Sequence, residues 1–353
     1  MQGFILNRVG DVALTSVLVC LLASQKSLDL SLISWLGHQG QLLIYWLLLA
    51  AIAGKSAQLG LQAWLPSAIE APTPVSALIH AATLVTAGVY LIVCLASNHL
   101  PTHGGGTAII LGASTLLLAG FVGLAQSDLK RTIAFSTCSQ VAYMVLGAGN
   151  LAPSASLFLL LTHAFYKALL FIAAGVVIHS SGNNQDVRLM GGSGLALPLG
   201  KELFAGGSLS LCAFPFSAGD FSKDLLLEQV GYAHLVLHHG FWLCGLAGTV
   251  LTGAYSARLL RLVFASEPRG GNPLPQHEAQ NYILAGLTLL GGISVSAGVG
   301  GSALLVPAFW ESTHSLNAEQ GLAPVSSLLP LAHITFGFCL GLLLEGIPST
   351  RLY

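Results

Sequence analysis

The 353 residues are 54% hydrophobic and only 8% charged, against about 25% charge in an ordinary soluble domain. That leaves too little polar surface to cover a water-soluble globule, so the composition puts the chain in a membrane. A net charge of -1 gives no basic surface for nucleic acid.

A spanning helix needs about 20 mostly apolar residues, and ten stretches qualify. They cover residues 9–24, 41–65, 74–97, 107–126, 129–149, 154–179, 203–228, 240–264, 282–301 and 326–344. The first is short and the seventh is interrupted at Pro215. Residues 1–10 lack an n-region followed by a cleavage site, so no cleavable signal peptide is expected. Long loops are expected only at 181–201, 265–280 and 307–325.

Taken as single crossings, these spans put Arg8, Lys130, Arg131, Arg188, Lys201, Arg258, Arg261, Arg269 and Arg351 on one side. Lys26 stands alone on the other, and Lys55, Lys167 and Lys223 remain inside. Positive residues gather on the cytoplasmic or matrix side, so both termini are expected there.

The three internal lysines mark the chemistry. A lysine at mid-membrane costs on the order of 2.5–3.5 kcal/mol on insertion scales. Lys55 ends an apolar run in GKSAQLGLQAWLP, ahead of Pro66, Pro72 and Pro74. It is either a snorkelling lysine near a helix end or a buried ammonium poised to release its proton. His80 follows on the next helix, which Thr73 is expected to cap and Pro74 to start. It is a proton carrier or a histidine bonded in a helix interface. His163 and Lys167, in THAFYKALLF, share one helix face. Lys223 and Asp224 follow the 215–219 break, as a structural ion pair or the end of a proton path.

Other charges have plainer readings. Asp11 and Asp128 are read at helix starts, where carboxylates suit the positive helix end. Glu70 and Glu228 are similar cases, and Lys130 and Arg131 read as boundary charges. The six cysteines lie singly in apolar runs, without the spacing of a disulfide framework or an iron–sulfur site. There is no nucleotide fingerprint and no haem ligand set, so no cofactor is expected on this chain. The halves echo each other: an apolar helix runs into a lysine-bearing break in AAIAGKSAQLGLQAWLP and again in LCAFPFSAGDFSKDLLLE. Paired broken helices are a transporter device.

With NRVGD, SDLKRTIAFSTCSQVAYMVLG and QDVRLMGG in the same order, the chain resembles the subunit 5 family of proton-pumping NADH:ubiquinone oxidoreductase, respiratory complex I. The resemblance covers nearly the whole chain. It implies an all-α polytopic membrane protein of about ten transmembrane helices, with antiporter-like inverted repeats and two discontinuous helices. Residues 1–98 would be the C-terminal part of the first repeat, 99–264 the second repeat, and 265–353 two additional helices. It implies a proton relay through Lys55, His80, His163, Lys167, Lys223 and Asp224, flanked by Asp11 and Asp128, with no catalytic or metal residue. FMN, iron–sulfur clusters and ubiquinone would sit on partner subunits.

Three departures follow from the resemblance. The family has a second histidine where this chain has Leu159, so Thr162 or water would carry that step. The family's helices ahead of NRVGD, with a glutamate partner for Lys55, and its lateral helix after Tyr353 are not in this sequence. The chain is therefore expected to be a central part, either with separate membrane-arm chains supplying both ends, the preferred reading, or as a naturally reduced subunit. The expected setting is the mitochondrial inner membrane, termini on the matrix side, or a bacterial plasma membrane. A sodium/proton antiporter subunit and a non-conducting structural remnant stay open as alternatives.

Overall fold

A computed structural model of the chain describes residues 2–97, 102–231, 236–267, 280–318 and 328–343. Among these the regular structure is helical, with one isolated bridge between Asp128 and Asp186. Arg269 and Arg351, counted in the charge pattern, lie outside the described residues.

The first hairpin pairs α1 (Gln2–Gln25) with α2 (His38–Lys55). A Cβ on Gly54 would stand 2.9 Å from Gly10 Cα, so the helices cross backbone to backbone there. α2 stops at Lys55, well short of the expected 41–65 span. Ala57 (φ 50°) and Gly60 (φ 92°) turn left-handed, and the chain loops before α3 (Trp64–Ser67). The freed backbone groups find partners on neighbouring segments, as they must inside a membrane. Trp64 Nε1 donates to Gly54 O (2.9 Å) and Cys138 Sγ to Ala57 O (3.1 Å), while the Ser56 hydroxyl ties the break to α5 by donating to Val85 O (2.8 Å).

Next comes α4 (Thr73–Ala81), capped at Pro72 and not, as expected, at Thr73. It ends at Ala81, so the predicted 74–97 helix is two pieces, α4 and α5 (Leu84–Ser97). A second hairpin joins α6 (Thr102–Ala125) to α7 (Leu129–Gly149), which is buried along nearly its whole length. α7 packs against α5, α6 and α8 (Pro153–Ser180). The chain after α8 folds back on the start of α7, where Val187 N donates to Ser127 O and Leu129 N to Gln185 O, each at 2.9 Å.

The short α9 (Ser193–Ala196) leads to α10 (Pro198–Cys212), a break, and α11 (Ala218–Gly231). In that break Ala213 (φ 62°) and Phe216 (φ 67°) occupy left-handed space, at about 1–2 kcal/mol each for a residue with a Cβ. α12 (Val236–Leu260) closes in a π-turn at Arg261–Ala265. α13 (Asn281–Ala318) and α14 (Leu328–Leu343) complete the described chain. α13 stays helical through residue 318, which corrects the loop expected at 307–325.

Among the described residues six helical stretches are long and apolar enough to cross a membrane: Gly3–Gln25, Thr73–Ala96, Gly105–Ala125, Pro153–Ser180, Gly240–Ala265 and Asn281–Gly301. α7 is not in that set because its inner face carries hydroxyls and Gln140, and α10 and α11 are not because the break leaves them 15 and 14 residues long.

Candidate functional site

Where α1 crosses α2, the Asp11 carboxylate lies 2.6 Å from Lys55 Nζ. Asp11 stands well inside α1 and not at a helix start, so the expected capping role gives way to an ion pair. Arg8 Nη1 approaches the same carboxylate at 3.5 Å from the exposed side. The Lys55 side chain is 25% exposed and that of Asp11 32%, so the pair opens toward the flank of α1.

Deeper in, His80 ends α4 with no exposed surface, its ring stacked on Phe171 of α8 at 5.2 Å. His163 on α8 is equally buried and meets the Tyr166 ring edge-on at 5.5 Å. One turn further on, Lys167 Nζ donates to Ser136 Oγ at 2.5 Å and to Ile133 O at 3.3 Å, both on α7. The charge of Lys167 acts on both histidines, and that of Lys223 acts on Lys167. The two histidines and the two lysines therefore share one field.

Lys223 lies one turn into α11 beyond the second break, 1% exposed, its Nζ 4.8 Å above the Tyr143 ring. Tyr143 is fixed by donating its hydroxyl to Gly245 O at 2.6 Å. Asp224 turns away toward Asp220, the residue one helical turn before it. Asp220 Oδ2 also accepts from Phe216 N (2.9 Å), which ties the carboxyl pair to the break. Leu159, where the family has a histidine, is buried in the apolar core. Thr162 instead meets Ser222 at 2.7 Å, hydroxyl to hydroxyl, joining α8 to α11.

Not every expected residue joins this line. Asp128 caps α7, accepting from Arg131 N at 3.2 Å. Glu70 is exposed. Lys130, read as a boundary charge, is 5% exposed and donates to Ala71 O (3.4 Å) in the turn ahead of α4. The reading by sequence missed Ser136, Gln140, Tyr143 and Tyr255. The signal for the first three was their i, i+4, i+7 spacing in FSTCSQVAYM.

Along and beside the line, several buried polar groups have no partner. His80 and His163 (both ring nitrogens of each), Ser139 Oγ, both Gln140 amide atoms, Lys223 Nζ and Tyr255 Oη are buried with no hydrogen-bond partner in the protein. Left dry, each would cost about 1–3 kcal/mol, together comparable to the roughly 5–15 kcal/mol that holds a typical domain. Such groups persist where water or a moving proton reaches them. Among the described residues no group of His, Cys, Asp and Glu is arranged to hold a metal.

A helical membrane bundle with two broken helices and a buried lysine–histidine line defines an antiporter-like membrane protein. The chain belongs to the NADH:quinone oxidoreductase/Mrp antiporter transmembrane family, whose sequence profile matches residues 1–252. It is 40% identical over 374 residues to the NADH-ubiquinone oxidoreductase chain 5 of Cryptococcus neoformans var. grubii, covering 100% of this chain and 56% of that protein. To the chain 5 of Metridium senile it is 43% identical over 273 residues, 75% of this chain and 45% of that one. The chain thus spans about half the length of these relatives. Its fold is like that of a chain in the Mrp complex from Dietzia sp. DQ12-45-1b, with a TM-score of 0.79 and 24% identity over 99% of this chain and 40% of that one.

Proposed function

We propose that this chain is the central, proton-conducting part of the distal antiporter-like subunit of a proton-pumping NADH:ubiquinone oxidoreductase. The observation that carries the reading is the line from the partly exposed Asp11–Lys55 pair through the buried His80, His163, Lys167 and Lys223 to Asp224. Burial makes each ammonium costly, and a neighbouring acceptor or carboxylate lowers that cost, so a charge can be moved by small changes nearby. In the proposed sequence a proton enters on the Lys55 side and passes by the two histidines to Lys167. It leaves through Lys223 and Asp224, with Asp128 at the edge of the path. The redox chemistry belongs to partner subunits carrying FMN, iron–sulfur clusters and ubiquinone, and none of it runs through side chains of this chain.

The two lysine-bearing breaks, at 56–63 and 213–217, support reading residues 1–98 and 99–264 as portions of two inverted repeats. The arginines and lysines gathered on one side favour termini on the matrix side of a mitochondrial inner membrane. Separate membrane-arm chains would cover the open flank of α1. The test is Lys167→Ala in the assembled complex. NADH:quinone electron transfer through partner subunits should persist while proton translocation attributable to this subunit is lost, and unchanged translocation overturns the proposal.

A further inference from the structure

One face of α7 connects the two innermost lysines. Ser136 accepts from Lys167, and Tyr143, seven residues on, carries Lys223 over its ring. At 1.5 Å of rise per residue those contact points lie roughly 10 Å apart along the helix, and Gln140 sits on the same face between them. Gln140 has no exposed surface, and neither its amide nitrogen nor its amide oxygen has a protein partner. From α12, Tyr255 brings its hydroxyl to the neighbourhood of Ser136 and Gln140 without closing a direct hydrogen bond. Among buried side chains, an amide with both ends unpaired is the more costly the drier its site.

We propose that Gln140, assisted by Tyr255, is the positioning residue that holds a hydrogen-bonded water bridge between Lys167 and Lys223. The proposal rests on the reading of the chain as a proton conductor. The amide accepts from one water and donates to the next, giving the bridge a single direction, and is not itself protonated. One N–H bond of the Lys167 ammonium breaks, leaving a neutral amine. Protons shift by one position along the waters, and one N–H bond forms on neutral Lys223.

The experiment compares Gln140→Leu, Gln140→Asn and Lys167→Ala in membranes holding the intact complex, reading protons moved per NADH oxidised beside the amount of assembled complex. Leucine fills the site with apolar atoms, whereas asparagine is smaller but keeps an amide. A packing role predicts that leucine is the better tolerated, and the bridge predicts the reverse order. The expected result is a loss of at least about tenfold in proton transfer for Gln140→Leu, with most of it restored in Gln140→Asn. If Gln140→Leu fails to assemble, Tyr255→Phe takes its place, with a smaller loss in the same direction. Wild-type translocation in Gln140→Leu while Lys167→Ala has lost it overturns the bridge and leaves the conductor reading standing. Wild-type translocation in both overturns the two together.

Discussion

Asp11 and Lys55, 44 positions apart in sequence, meet at 2.6 Å because Gly10 and Gly54 let α1 and α2 touch. Each charged residue directly follows one glycine of the crossing, so contact between the glycines brings the side chains together. Lysine 55 therefore has a carboxylate partner within this chain.

Removing that partner should cost both structure and transport. Asp11→Asn leaves a partly buried ammonium without its counter-charge, worth about 1–3 kcal/mol at this degree of exposure. We expect the complex to assemble, with proton transfer reduced several-fold. A double-mutant cycle with Lys55→Gln should give a coupling energy of about 0.5–3 kcal/mol. A coupling near zero would show that the two side chains act independently.

The glycine crossing can be graded. A Cβ at Gly54 meets Gly10 Cα at 2.9 Å, whereas one at Gly10 finds its nearest atoms, Ala51 O and Gly54 Cα, at 3.3 Å. Gly54→Ala should therefore destabilise by about 1–3 kcal/mol and Gly10→Ala by less. Thermal unfolding of the purified complex reads the order. No effect from either would mean that α1 and α2 separate freely.

Thr162→Val tests the hydroxyl pair with Ser222. Loss of one buried hydrogen bond is worth about 1 kcal/mol, and Ser222 keeps its own bond to Ala218 O at 2.9 Å. If Thr162 carries the step that the family assigns to a histidine at the Leu159 position, proton transfer should fall further than stability does. Parallel small losses in both would confine Thr162 to holding α8 against α11.

Outside the membrane, Arg188 donates to Asp186 at 2.7 Å and holds its carboxyl below the usual carboxylate range. A lowered folded value means that the contribution is present at neutral pH and fades as acid protonates the folded carboxylate. Arg188→Ala should speed amide exchange at Val187, which is bonded to Ser127 O. The gap from the native chain should be widest near neutral pH and shrink below the ordinary carboxylate value of about 3.9. A gap independent of pH would assign the loop's order to its backbone turns alone.

Much of the architecture was legible because apolar length and helix-breaking residues act locally. The runs behind α6, α7 and α8, and the break around Pro215, follow from composition along one stretch. The end of α2 at Lys55 did not, since it depends on partners from α3 and α7 that satisfy the freed carbonyls. The Asp11–Lys55 pair was hidden for the same reason: it is a property of a crossing between two helices. Lys167 and Lys223 stood out as charges in oil. Gln140 did not, because a neutral amide is inexpensive enough to pass unnoticed until its burial and lack of partners are seen.

α7 has almost no contact with the chain's surroundings, and that bears on how it is made. A segment with Lys130, Arg131, Ser136, Ser139 and Gln140 is a poor substrate for insertion on its own merit. Only the short turn at 126–128 separates it from the apolar α6. During synthesis α7 must therefore enter the bilayer as the second arm of a helical hairpin, carried in by α6. Insertion of the polar α7 thus depends on the apolar helix made just before it.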